Sequence, residues 1–300
     1  MLRQRHKTAA RITALRIQAL TVTLILTAGC QPDTDTAPEA GASAREISTR
    51  VLIVTDESDR MEPLAAFLEE KVGIDSTIID YAALPEDQRR LPEDMSRYKA
   101  LVGYIHNELN EPTELAIIDY TENGGRFIAV HHMVSSGKAK NRYYFDFLGL
   151  ALDGIEQARE PAQPGGHYMW REPVEKTVFN LAPDHYITSH QITWPEHAPF
   201  VPSDVPAMEV EMRPAITMER TEVYANVKRT DGDLKTLLLG YTYTDDRNGI
   251  THSQATDGWT KAAGDGHVVY LQPGHFVEEF TDPDNILNQL ILNAITWQPE

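Results

Sequence analysis

The sequence predicts an α/β fold built on a parallel sheet, and three observations predict it. Apolar runs of strand length recur, amphipathic stretches of helical length lie between them, and Gly-, Pro- or Asn-marked turns separate the two. Strands that read as continuous apolar runs, without alternation, are buried on both faces, and that burial requires helices on each side of the sheet. At 300 residues, with 41% hydrophobic and 24% charged content, the chain has material for a large core.

Val51-Leu52-Ile53-Val54 reads as the first strand. A helix follows over Pro63 to Lys71, with Leu64, Phe67 and Leu68 on one face. Thr77 to Tyr81 and Tyr98 to Tyr104 are the next two strands. Pro112 to Glu122 is a second helix with Pro at its start and Asn123-Gly124-Gly125 at its stop, and Phe127-Ile128-Ala129-Val130 is a fourth strand. From Tyr143 to Thr260 the text is less regular, with strands near Thr177-Val178-Phe179, Glu222 to Val227 and Thr236 to Tyr241; this segment is expected to wall a cleft as an irregular insertion. Order returns with a strand over Gly266 to Leu271, a turn at Pro273-Gly274-His275-Phe276, and a closing helix over Pro283 to Trp297.

In parallel sheets ligands gather at the carboxyl ends of the strands. His131 and His132 end the fourth strand, His275 follows the last one, and Tyr104-Ile105-His106 follows the third, so all should lie on one edge. Adjacent histidines on an extended chain point to opposite sides, so one of His131 and His132 is expected to face the cleft.

The first 49 residues stand apart. Arg3, Arg5, Lys7, Arg11 and Arg16 precede a short apolar run over Ala19 to Leu26, which ends in Leu26-Thr27-Ala28-Gly29-Cys30. Small residues before a cysteine resemble the bacterial lipoprotein signal, so residues 1–29 are read as a signal peptide and Cys30 as the lipidated residue. Gln31 after it points to the periplasmic face of the outer membrane. Residues 30–49 lack apolar periodicity and read as a flexible tether, leaving 50–300 as the folded domain. The net charge of −18 becomes more negative without the leader, which disfavours nucleic acid as a partner. Cys30 is the only cysteine, so the folded domain has no thiol nucleophile and no disulfide.

Several segments together resemble the ThuA-like (trehalose utilisation) family: Tyr98 to Tyr104, Asp119-Tyr120 with Asn123 to His132, Pro183-Asp184-His185-Tyr186-Ile187-Thr188, Glu222-Val223-Tyr224, Trp259, and Gly264 to His275 followed by a helix ending at Trp297. The resemblance covers about residues 50 to 298. It implies a flavodoxin-like open parallel sheet of the class I glutamine-amidotransferase type, and sugar-related chemistry in the catabolism of trehalose or related disaccharides and keto-sugars. Amidotransferases of this fold carry a nucleophilic cysteine on a strained turn after a strand, which this chain lacks. Ser135-Ser136 sits in no Gly-x-Ser-x-Gly elbow. Chemistry of hydrolase or lyase type is therefore expected from His and Glu, with one divalent, zinc-like metal as cofactor. His132, His275 and Glu222 are the expected catalytic and metal-ligating set, and His106, His131, Tyr224 and Trp259 the substrate contacts. The alternative is a non-catalytic carbohydrate-binding or envelope scaffold module on the same fold. His167, His190, His197 and His252 each read as ordinary core or surface residues, and Asp245 to Gly249 as a solvated turn without the spacing of a calcium loop.

Overall fold

The computed structural model describes residues 50–232 and 234–299. The leader, Cys30 and the tether lie outside the described residues. In chain order the elements are β1 (Arg50–Thr55), α1 (Ser58–Val72), β2 (Asp75–Asp80), β3 (Ala100–Tyr104), α2 (Glu111–Glu122), β4 (Arg126–Val130), α3 (Tyr144–Leu148), β5 (Leu150–Ala151), β6 (Met169–Asn180), α4 (Tyr186–Ser189), β7 (Glu196–Phe200), β8 (Glu211–Ala225), β9 (Lys228–Arg229), β10 (Thr236–Asp245), β11 (Ile250–Ala263), β12 (Gly266–Leu271), α5 (Glu278–Thr281) and α6 (Leu287–Thr296).

One ten-stranded sheet runs β2-β1-β3-β4-β12-β11-β10-β6-β8-β7. Its first five strands are parallel and the rest antiparallel. The parallel half follows from side-chain alternation on doubly buried strands. Val51, Ile53, Val102, Ile128, Val130, Val269 and Leu271 face the layer of α1 and α6. Leu52, Val54, Leu101, Phe127, Ala129, Val268 and Tyr270 face α2 and α3.

The boundaries moved where local chemistry allowed. α1 starts at Ser58, ahead of Pro63, because a proline this near the start removes only one ladder hydrogen bond. It ends at Gly73 in the left-handed region, whose N–H returns to the helix. α2 starts one residue before the expected Pro112 and ends at Glu122 as expected, with Asn110 Oδ1 accepting from the Thr113 N–H at 3.1 Å. The closing helix is shorter than expected and is preceded by the separate turn of α5.

The segment from 143 to 260 is more regular than its sequence suggested. β6, β8, β10 and β11 are 10 to 15 residues long and continue the sheet beyond the parallel half. Asp245 to Gly249 is their β10–β11 turn, and the Asp245 carboxylate is engaged by Arg247 at 2.7 Å. His185 caps α4, its Nδ1 accepting from the Ile187 N–H at 3.1 Å.

Candidate metal centre and cleft

β4 is parallel and buried, so its carboxyl end delivers the chain to the sheet's edge, where a tight helical turn over His131–Val134 begins. His131 has φ +44°, a left-handed conformation that costs a non-glycine residue of order 1–3 kcal/mol and persists only where surroundings fix it. That kink overturns the expectation that only one of the two histidines serves the site, because the chain is no longer extended there. The rings of His131 and His132 lie 4.4 Å apart and both join one cluster.

His275 comes from the turn after β12. Gly274 precedes it at φ +122°, a conformation that favours glycine. The turn is held from both sides. The buried Glu279 carboxylate accepts from the N–H groups of Gly274, His275 and Phe276 at 2.8 to 3.0 Å and from the Thr221 hydroxyl at 3.2 Å. Arg60 donates to the His275 carbonyl and to Tyr104 Oη, which itself donates to the Gly274 carbonyl at 2.8 Å. Glu222 arrives from β8 of the antiparallel half, next to the Thr221 that Glu279 holds.

Ligand-type atoms of His131, His132, Glu222 and His275 all lie within 4.8 Å of one another, and all four residues are buried. Glu222 Oε2 stands 2.8 Å from His131 Nε2, 2.8 Å from His275 Nδ1 and 3.8 Å from His132 Nε2. A tetrahedral zinc shell with bonds near 2.0–2.1 Å separates its ligand atoms by about 3.3 Å, and these distances bracket that value.

The outward nitrogens fit the same arrangement. His131 Nδ1 lies 2.5 Å from the Gln272 carbonyl, which can only accept, so this nitrogen carries the proton and Nε2 offers its lone pair to the cluster. His275 Nε2 contacts the Glu172 carboxylate. His132 Nδ1 lies 3.3 Å from Glu57 Oε2, and neither of its ring nitrogens makes a hydrogen bond. Outer acceptors of this kind orient metal-ligating imidazoles. A carboxylate oxygen 2.8 Å from a ring nitrogen calls for positive charge between them, which a second ring proton supplies in the metal-free protein, and three imidazoles with one carboxylate are a donor set that fits a divalent ion in its place.

The electrostatics agree. Burial raises the Glu222 carboxyl, but hydrogen bonds and charge from His131 and His275 outweigh it and hold it down at about 2. Burial, then the neighbouring His131, His106, His275 and Arg60, push His132 well below the histidine range, keeping it in the neutral form that binds metals. Burial would lower His275, yet Glu222 and Glu172 raise it.

Above the cluster opens a cleft of about 670 Å³, lined by His106, His132, Tyr168, Trp170, Tyr224 and the 155–160 segment among others. His106, exposed, stacks on His132 at 4.3 Å. Tyr224 stacks on His131 at 4.9 Å and places its hydroxyl 3.2 Å from His131 Nε2. Trp259, expected as a substrate contact, does not line the cleft. On β11 its side chain faces the α2 and α3 layer, fully buried beside Tyr270 with the Lys235 ammonium 4.8 Å from its ring centre. Glu57, Glu172, Gln272 and Glu279 were missed in the sequence, where nothing local marks an acid or amide whose partner lies far along the chain.

The family model for trehalose utilisation (ThuA) matches residues 50–298. No curated protein matches the chain. Among solved structures, a ThuA-like protein from Parabacteroides merdae ATCC 43184 is similar at TM-score 0.56 and 15% identity, over 83% of this chain and 88% of that one. A ThuA-like protein from Bacteroides uniformis ATCC 8492 is similar at TM-score 0.52 and 17% identity, over 86% and 94%. At such identity the likeness speaks for the fold.

Proposed function

The chain belongs to the ThuA (trehalose utilisation) family, and from that premise we propose that it acts on a small carbohydrate or keto-sugar of the trehalose type, by hydrolase- or lyase-type chemistry assisted by one divalent metal. The observation that carries this reading is the convergence of three imidazoles and one carboxylate under an open cleft at the carboxyl edge of the parallel strands.

His131, His132, His275 and Glu222 would hold the ion. Once bound, such an ion polarises a substrate oxygen or acidifies a water molecule. The chain's own groups do the rest. The Gln272 carbonyl fixes the tautomer of His131, and Glu172 takes the Nε2 proton side of His275. Glu172 is about a third exposed in the cleft, so its second oxygen is placed to take a substrate proton as general base. The Tyr224 hydroxyl and the His106 ring orient the sugar. On the leader sequence ending at Cys30, we further propose that the mature protein is lipid-anchored at the periplasmic face of the outer membrane.

The test is elemental analysis of the purified protein with single His131→Ala, His132→Ala and His275→Ala variants assayed on trehalose and its keto derivative. About one transition metal per chain, lost in each variant together with turnover, is expected. Full activity in all three variants overturns the reading, and a metal-free wild type that binds oligosaccharide without turning it over replaces it with the non-catalytic module.

A further inference from the structure

We propose that Trp170 and Arg159 form an outer subsite that holds the distal, uncharged ring of a saccharide of two or more units, while the ring that reacts faces the histidine cluster. This rests on the carbohydrate reading above and adds the residues that select for size.

The cleft has two unlike walls. One is the cluster with Tyr224; the other is the 155–160 segment with Trp170. Trp170 sits on β6 directly opposite Tyr224 in the β6–β8 register, so the two aromatic residues are cross-strand neighbours along the cleft. Two residues further along β6, and lining the same cleft, is Glu172, which touches His275. The strand thus leads from the chemistry to the indole.

The outer wall is a built surface. The Trp170 N–H donates to the Ala158 carbonyl at 2.9 Å, and the Arg159 carbonyl accepts from Arg247 Nη1 at 2.5 Å, which pins the segment by its backbone. The Arg159 guanidinium lies 4.9 Å from the centre of the Trp170 ring. It has no ion pair or side-chain hydrogen bond among the described residues, although the chain as a whole is strongly acidic. A guanidinium laid on an indole keeps its in-plane N–H donors free.

A pyranose ring matches this pair, since its C–H face packs on an aromatic plane and its rim of hydroxyls accepts from the guanidinium. Ile155, 37% exposed, adds apolar surface beside it. Glu156, Glu160 and Glu172 line the same cleft and disfavour phosphorylated or carboxylated sugars, so the ligand is a neutral ring. About 670 Å³ is more than a single hexose requires.

The test titrates the intact protein with glucose, trehalose and maltose, followed by calorimetry and tryptophan fluorescence. Of the four tryptophans only Trp170 lines the cleft, so its emission reports occupancy independently of turnover. The wild type should bind the disaccharides about tenfold more tightly than glucose, with a fluorescence change. W170A should erase both the margin and the signal while leaving glucose affinity within about twofold. W170F, which keeps a packing ring and safeguards against a folding defect, should lose the signal and retain part of the margin, and R159A should lose a smaller part. Unchanged disaccharide affinity in W170A and W170F overturns the subsite and leaves the function standing. Absence of binding by all three sugars to the wild type overturns the carbohydrate reading and the subsite together.

Discussion

The two halves of the sheet contribute different chemistry to one site. The parallel half supplies nitrogen: His131 and His132 after β4, His275 after β12, and His106 after β3. The antiparallel half supplies oxygen and aromatic surface: Glu222 and Tyr224 on β8, Glu172 and Trp170 on β6. Strand ends of a doubly wound sheet present short turns that can aim an imidazole, whereas side chains on long antiparallel strands are placed by pleat and register. A site built from both is specified twice, once by turn geometry and once by register.

The most severe way to break this division is Glu222→Gln, which keeps size and burial but removes the only carboxylate of the cluster. Metal affinity measured by competition with a chelator should fall by about a hundredfold or more. Next is the buried pair behind the site, in which Lys176 Nζ lies 2.8 Å from Asp257 Oδ1 with both side chains fully buried, and 3.2 Å from Gln272 Oε1. Lys176→Met alone strands a buried carboxylate and should cost about 3–5 kcal/mol in urea unfolding, while Lys176→Met with Asp257→Leu should recover most of it.

A smaller effect separates outer from inner partners. Glu172→Gln and Glu57→Gln, made singly, should each weaken metal binding by about tenfold, because the imidazoles lose orientation but remain. Full retention of affinity would remove those two acids from the surroundings of the metal.

Acid sharpens the comparison further. In the metal-free protein Glu222 is held at about 2 against an ordinary 4.5, so folding favours its ionised form. Its contribution is complete above the unfolded value and disappears as pH falls from there through about 2. Urea unfolding of the wild type should therefore lose stability across that window, and Glu222→Gln should lose less. The smallest expected effect is that of Trp259→Phe, a core change that should lower the melting temperature and leave sugar affinity within about twofold.

The same division decides what could be read in advance. Val51 to Val54, Phe127 to Val130 and Gly266 to Leu271 announce buried parallel strands by composition, and position on a common edge then singles out His132 and His275. The antiparallel strands conceal themselves. β6 shifts register between Arg171 and Lys176, and β10 between Leu237 and Tyr241, which breaks the period-two pattern. Their interiors also carry Lys176, Gln254 and Asp257, all buried, residues that read as surface until their partners are known. His131 was expected among the substrate contacts and not beside His132 in the cluster for a third reason: its place there depends on a backbone angle, φ +44°, that no side-chain pattern encodes.

Continuity of the sheet carries a mechanical consequence. β11 and β12 are joined through six registered pairs, from Gly258↔Leu271 to Ala263↔Gly266, so the strands that carry Trp170, Glu172, Glu222 and Tyr224 belong to the same sheet as those whose ends carry the histidines. The outer wall over Ile155 to Glu160 is tied to that sheet by the backbone bond from Trp170 to the Ala158 carbonyl, so turnover is expected to be insensitive to solvent viscosity in a way that jaw-like enzymes are not.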